Sequence, residues 1–355
     1  MMESKRINYF DIAKGIGIIL VVMGHLEYIS SPIRFFIVSF HMPMFFVISG
    51  MLMAATGEEN KPVSSYIKGK LKRIAVPYIG YSVLFLVLEI VFMYLTDTVS
   101  WINIIQNTYY TICLYGNSVL WFLPAMFFAC LMFYFLRRKT NHKVTISLVI
   151  ILTIIMYGLN KLNGLMGMSF SDNMFMSELF FFFVMVIRSF FAMFYLATGY
   201  YLYILLVKQL DFTSKVKPVL MALIGICILA LIGWTSQING IVDFHFLMLG
   251  NPFLFLFNSV AGSIAVIFIS MSFEGISEIK VFKLIRFYGK NSLTIMATHM
   301  DCYIMYISLL FAMFITKNIN ESKKLLFCTV TLITVFILET ILILCVKQIK
   351  TLKNR

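Results

Sequence analysis

Charge is scarce in this chain. Of 355 residues only 13% are Asp, Glu, Lys or Arg, and the acidic share is smaller still, 16 residues against 29 basic ones. Tryptophan (3), histidine (5), cysteine (6) and proline (7) are also few. So little charge excludes an ordinary soluble domain, which carries about a quarter charged residues. The cysteines (113, 130, 227, 302, 328, 345) are scattered, and no two are spaced as metal ligands or a redox pair, so they read as small apolar packing groups. With histidine this sparse and cysteine this scattered, no metal site is expected.

What fills the chain is apolar residue: 61% hydrophobic, with 36 Phe and 24 Met. The mean hydropathy is +0.91. Several apolar runs approach the roughly 20 residues that a helix needs to cross a bilayer. The expected fold is all-α, a polytopic membrane protein with about ten transmembrane helices. The segments read as 10–29, 33–55, 74–95, 119–136, 144–160, 179–207, 217–234, 252–273, 289–315 and 325–346. One domain spanning 1–355 is expected, with no repeat and no low-complexity linker. The charged start MMESKRINYF has no small-residue cleavage site, so it reads as retained.

The net charge of +13 is unevenly placed. Lys and Arg gather at 5–6, 61–73, 137–143, 208–217, 280–290 and 347–355, while 96–118 and 235–251 hold none. Ten spans put every rich cluster on one side, which the positive-inside rule makes cytoplasmic, together with both termini. The loop 317–324 fits least well, with three lysines on the outer side. The basic excess is therefore topogenic, with membrane lipid and not nucleic acid as its partner. The stretch 61–78 is too polar to cross and reads as a basic interfacial helix ending at Pro77. Its Lys68, Lys70, Lys72 and Arg73 offer a clamp for phosphates.

Ionisable groups inside apolar spans are costly and mark a site when they face a protein interior. The first span carries three: Asp11, Lys14 and His25. Lys14 and His25 are eleven positions apart, roughly three turns, so they share one helix face about 16 Å apart. Asp11, three residues before Lys14, lies within its side-chain reach. His41 is expected at a depth similar to His25, in a helix bent by Pro43. Glu89, Arg188 and His299 with Asp301 fall inside their spans. Each also has a plain structural reading: Glu89 and Arg188 as a mutual ion pair, His299 as a cross-helix hydrogen bond, Glu339 as packing or a solvated group. His142 and His245 read as solvated loop residues. The glycines of KGIG (14–17) read as helix packing, since no strand precedes them.

A neutral imidazole at mid-membrane suits general-base chemistry near neutral pH. Acyl transfer from a thioester to an alcohol needs such a base, and an anionic donor held at the cytoplasmic face. The chain resembles the acyltransferase-3 membrane proteins, in particular their fucose 4-O-acetylase-like branch. The resemblance rests on YFDIAKGIGIILVVMGH (9–25), SFHMPMFFVISGML (39–52), KLKRIAVPY (70–78), LWFLPAMFF (120–128) and YGKNSLTIMATHM (288–300). It implies about ten spans in a bacterial cytoplasmic membrane and an acyl-CoA co-substrate, commonly acetyl-CoA. It also implies a glycan or lipid-linked sugar acceptor, and His25 as base or acyl relay. On this reading His25, His41 and Asp11 are the catalytic candidates. Lys14, Lys70 and Arg73 are the donor-binding candidates, and Glu89, Arg188 and His299 those for the acceptor. The rival classes are a small-solute or amino-acid carrier, which would show broken helices in two matched halves, and a polysaccharide export partner without chemistry of its own.

Overall fold

A segment surrounded by lipid must satisfy its backbone N–H and C=O groups internally, and a helix does so residue by residue. The computed structural model describes residues 7–98, 100–169, 174–317 and 321–353, with the side chains of 163–169, 174–180, 321, 350 and 353 left aside. Among the described residues there is no strand, only an isolated bridge between Asp243 and Met248. The helices are α1 (Asn8–Gly24), α2 (Ser31–Val38), α3 (His41–Thr56), α4 (Val63–Lys70), α5 (Val76–Leu95), α6 (Trp101–Ile112), α7 (Phe122–Lys139) and α8 (His142–Ser169). They continue with α9 (Met174–Tyr203), α10 (Phe212–Lys215), α11 (Pro218–Asn239), α12 (Pro252–Ser272), α13 (Lys280–Lys290), α14 (Ser292–Asp301), α15 (Ile304–Thr316) and α16 (Lys324–Lys353).

Among the described residues eight helices are long and apolar enough to cross a bilayer, or nine if α14 and α15, bent by 65°, count as one span. The chain is an all-α polytopic membrane protein. The tenth expected span is α1, whose 17 residues lie at the lower limit for crossing. Lipid-compatible surface is plain on α5, α11, α15 and α16, where Leu95, Leu223, Phe314 and Leu325 are exposed.

Two local expectations change. Pro77 does not end the interfacial helix: one helical run covers Val63–Leu95. It is carried past the proline by a π-helical turn at Leu71–Ala75, closed by the Val76 N–H on the Leu71 carbonyl. Pro77 removes the donor that Arg73's carbonyl would meet in an α-helix, and a widened turn accommodates this. Pro43 withholds the N–H that would meet the Ser39 carbonyl, and the run Ser31–Thr56 is interrupted at Ser39–Phe40 between α2 and α3, where Ser259 donates to that carbonyl instead. The ninth segment is broken at Cys302–Tyr303, with Tyr303 at φ 58.

The chain divides into two compact units. The first comprises Met1–Met42, Val216–Ile241 and Gly250–Arg355. At its centre is α1, packed on α12, α13 and α14. Ten of its residues are buried, including Phe10, Ile12, Ile18 and Val22. Helices α11 with α12, and α15 with α16, complete it. The second unit comprises Pro43–Lys215 and Val242–Leu249, with α9 packed against both α7 and α8. Gly50 and Gly199 let α3 and α9 approach until backbone meets backbone, at Leu196 and Val47.

Candidate active site

In the first unit, α1 positions its ionisable stripe through close contact with α13. A methyl group at Gly289 would collide with the Asp11 carbonyl oxygen, and one at Gly15 with the Ile285 carbonyl oxygen. Both glycines of the KGIG and YGKNS motifs that meet this interface are thus helix-packing residues, as the sequence suggests for the first. Asp11 is buried and Lys14 half-buried. His25 caps α1 and is exposed.

Across from His25 stands His299 of α14, fully buried, with ring centroids 5.3 Å apart and planes inclined by 52°. His299 Nδ1 lies 2.8 Å from the Ile295 carbonyl oxygen. A carbonyl only accepts, so Nδ1 carries the proton and neutral His299 presents Nε2 as a lone pair. That Nε2 is buried and meets no hydrogen-bond partner among the described residues. His299 therefore bonds within its own helix, and not across helices as its plain structural reading has it. His41 repeats the device: Nδ1 is 3.0 Å from the Ile37 carbonyl oxygen, one helical turn back. His41 and His299 both lie within electrostatic reach of His25. Three of the five histidines therefore gather in this unit.

Beside them, Thr298 Oγ1 lies 2.8 and 2.9 Å from the two carboxyl oxygens of Glu339 on α16, and 2.8 Å from the Thr294 carbonyl. Glu339 is fully buried, so it is no solvated group. It ties α16 to the residue next to His299. On the same unit's polar surface, Lys283, Arg286, Phe287, Lys290, Lys347 and Glu278 line a cleft of about 330 Å³.

The other candidates lie in the second unit. Glu89 and Arg188 do not pair. Glu89 accepts from Asn107 at 2.8 Å on each oxygen, and Arg188 donates to the Tyr115 carbonyl at 3.0 Å. Lys70 is held by Glu58 at 2.8 Å, and Glu58 also meets Lys61 at 3.3 Å and Arg73 at 3.5 Å. Burial alone would raise the Glu58 carboxyl, but Lys70 and Lys61 outweigh it and hold it below its usual range. Lys70 is largely enclosed, while Arg73 is 74% exposed and free to meet an anion despite its long contact with Glu58. Segments 96–118 and 161–178 are the acceptor-pocket candidates that the sequence offers, and the second falls mostly outside the described side chains. His245 is not a solvated loop residue. Its ring stacks on Trp121 at 5.5 Å and 10°, and burial followed by the Arg188 charge pushes its pKa down to about 3.

Residues 7–349 match a family model described as an acyltransferase domain, the acyltransferase-3 family. The chain belongs to that family. No curated protein and no solved structure matches it. Membership makes this a membrane acyltransferase. Glu58 escaped sequence reasoning because a carboxylate in the polar stretch GEEN resembles any solvated loop acid. Its one signal was spacing, five basic residues within fifteen positions downstream.

Proposed function

We propose that the acyltransferase moves an acyl group, acetyl by preference, from acyl-CoA to a sugar hydroxyl of a cell-envelope glycan or glycolipid. This places it in the fucose 4-O-acetylase-like branch and in the cytoplasmic membrane of a bacterium, with both termini inside. The observation that carries the reading is the His25–His299 pair. One imidazole is exposed at a helix end, and the second is buried beside it with its tautomer fixed.

In direct transfer, His25 takes the proton of the acceptor hydroxyl as the oxygen attacks the thioester carbonyl. The C–O bond forms, the C–S bond breaks, and the thiolate leaves with the proton that His25 returns. In the relay variant an imidazole nitrogen attacks the thioester carbonyl, the C–S bond breaks and the thiol leaves with the imidazole N–H proton. The hydroxyl oxygen then attacks the acylimidazole, the C–N bond breaks and the hydroxyl proton returns to the ring. Asp11, Lys14 and His41 line the same unit, where they support the polar path. Exposed Arg73 supports contact with the donor's phosphates, Glu89 and Arg188 support acceptor binding, and His299 positions His25.

The test is transfer of labelled acetyl from acetyl-CoA to a glycan acceptor by purified protein in lipid. Transfer that survives His25→Ala removes His25 from the chemistry.

One observation favours a second reading. The break between α14 and α15 lies two residues past His299, and broken helices line solute sites in carriers. A carrier would move solute across proteoliposomes and transfer no label.

A further inference from the structure

Arg188 lies inside the span Phe181–Gln209 and is 1% exposed. A guanidinium in such a place requires partners. One is the Tyr115 carbonyl, which accepts from Nη1. Two more are aromatic faces, with the guanidinium carbon 4.3 Å from the Tyr115 ring centre and 5.4 Å from that of Trp121. Nε and Nη2 remain, both buried and without a hydrogen-bond partner among the described residues. The Tyr115 phenol acts on the guanidinium as a weak polar partner and the Asp243 carboxylate through its charge alone, and neither occupies Nε or Nη2.

Nε and Nη2 form one edge of the guanidinium, two parallel N–H groups spaced to meet two oxygens of one carboxylate or phosphoryl group. His245 shares both rings with the guanidinium, 5.4 Å from Tyr115 and stacked on Trp121, and feels the Arg188 charge, with its own buried Nε2 unpartnered among the described residues. His245 is neutral at pH 7, so it adds a polar nitrogen without a second positive charge. Its loop is pinned by the Asp243–Met248 bridge and by Asn160, which donates to the Leu247 carbonyl at 3.2 Å. Half-buried His245 sits next to exposed Phe246, so the cluster lies directly beneath a surface loop. Three buried polar nitrogens of two residues, held by rings and pinned loops, make a preformed receptor for two oxygens and not a packing accident.

We propose that Arg188 and His245 form an oxyanion site that holds a carboxylate or phosphoryl group, bidentate on Nε and Nη2 of Arg188, between the rings of Tyr115 and Trp121. Resting on the acyl-transfer reading, the bound group belongs to the acceptor, which is then an acidic saccharide, a uronate or a sugar phosphate. The site itself stands without that reading.

Trp121 is the reporter. The chain has three tryptophans, and Trp101 and Trp234 are exposed, so Phe at both leaves Trp121 as sole emitter. The full chain in lipid nanodiscs is titrated with glucuronate, glucose 1-phosphate and glucose, in the absence of any acyl donor. Expected is a saturable change in Trp121 emission with at least one anion and none with glucose. The responding anion tells carboxylate from phosphoryl. Arg188→Lys keeps the charge and loses the fork, so affinity falls at least tenfold. His245→Gln weakens binding about threefold. No saturable response to either anion, an equal response to glucose, or unchanged affinity in Arg188→Lys overturns the site. Should Arg188→Lys not fold, the comparison of anion with glucose in the parent and in His245→Gln decides. Anion binding without acyl transfer to that anion leaves the site standing and refutes its assignment to the acceptor.

Discussion

The imidazoles of His25 and His299 stand 5.3 Å apart, one exposed and one fully buried, and the buried one has its Nδ1 proton committed to the Ile295 carbonyl. This arrangement gives unequal roles. His25 is accessible to substrate, and His299 is a fixed lone pair behind it. His25→Ala should lower acetyl transfer by about 10²- to 10⁴-fold, the usual worth of a positioned acid–base group. His299→Gln should keep the fold and lose roughly tenfold in kcat with KM little changed. Initial rates with labelled acetyl-CoA measure both. Equal loss in the two variants would put His299 at the reacting atoms instead.

The α1–α13 contact supports that pair from below. Gly289 lets the Asp11 carbonyl touch its Cα, so Gly289→Ala forces the two helices apart. Overpacking of this kind costs about 1–3 kcal/mol. A lower thermal midpoint and reduced transfer should appear together. Gly80→Ala, where an added methyl meets nothing within 4 Å, is the matched control and should change neither.

The ionisable stripe of α1 was legible because burial of charge in an apolar helix is expensive and spacing fixes the face. Lys14, His25 and the packing role of Gly15 follow from one dimension. The break at Cys302–Tyr303 did not, because neither residue is a Gly or Pro, and a tyrosine in left-handed conformation is imposed by tertiary packing. Pro77 misled for the opposite reason. A proline's effect depends on its place in the turn, which shifts with a boundary error of two residues. Arg188 could be flagged as buried charge, but its partner Tyr115 lies 73 positions away and is reached through a backbone carbonyl, which carries no sequence signature. His245 looked solvated because it lies in a connection between spans, and only the fold brings Trp121 over it.

Glu58 separates two lysine-arginine roles that look alike in the sequence. Lys70→Ala removes an enclosed partner at 2.8 Å and should lower thermal stability, by about 1–2 kcal/mol for a pair between surface and core. Arg73→Ala should leave stability unchanged and weaken acetyl-CoA binding, most at low salt. Unchanged affinity there would move the phosphate contact elsewhere, with the cleft of Lys283, Lys290 and Lys347 next to be tested. The Glu58 carboxyl is held below its usual 4.5, so its contribution is present above that pH and fades as pH falls through the lowered value. Glu58→Gln should lack this acid-range component in thermal melts between about pH 5 and 3.

His245 makes a pH prediction of its own, in a different window. Burial and the neighbouring Arg188 charge depress it from 6.5 to about 3 in the folded protein. The unfolded chain therefore binds one more proton than the folded one between those values. Stability from the neutral ring is complete above pH 6.5 and declines as pH falls below it, by up to about 1.4 kcal/mol per pH unit. Thermal midpoints of the parent should therefore drop from pH 7 to pH 5. His245→Gln keeps a polar planar side chain over Trp121 and does not titrate, so its midpoint should drop less over the same interval. Parallel curves for the two proteins would mean that His245 is charged in the fold, with an anion beside it to offset Arg188.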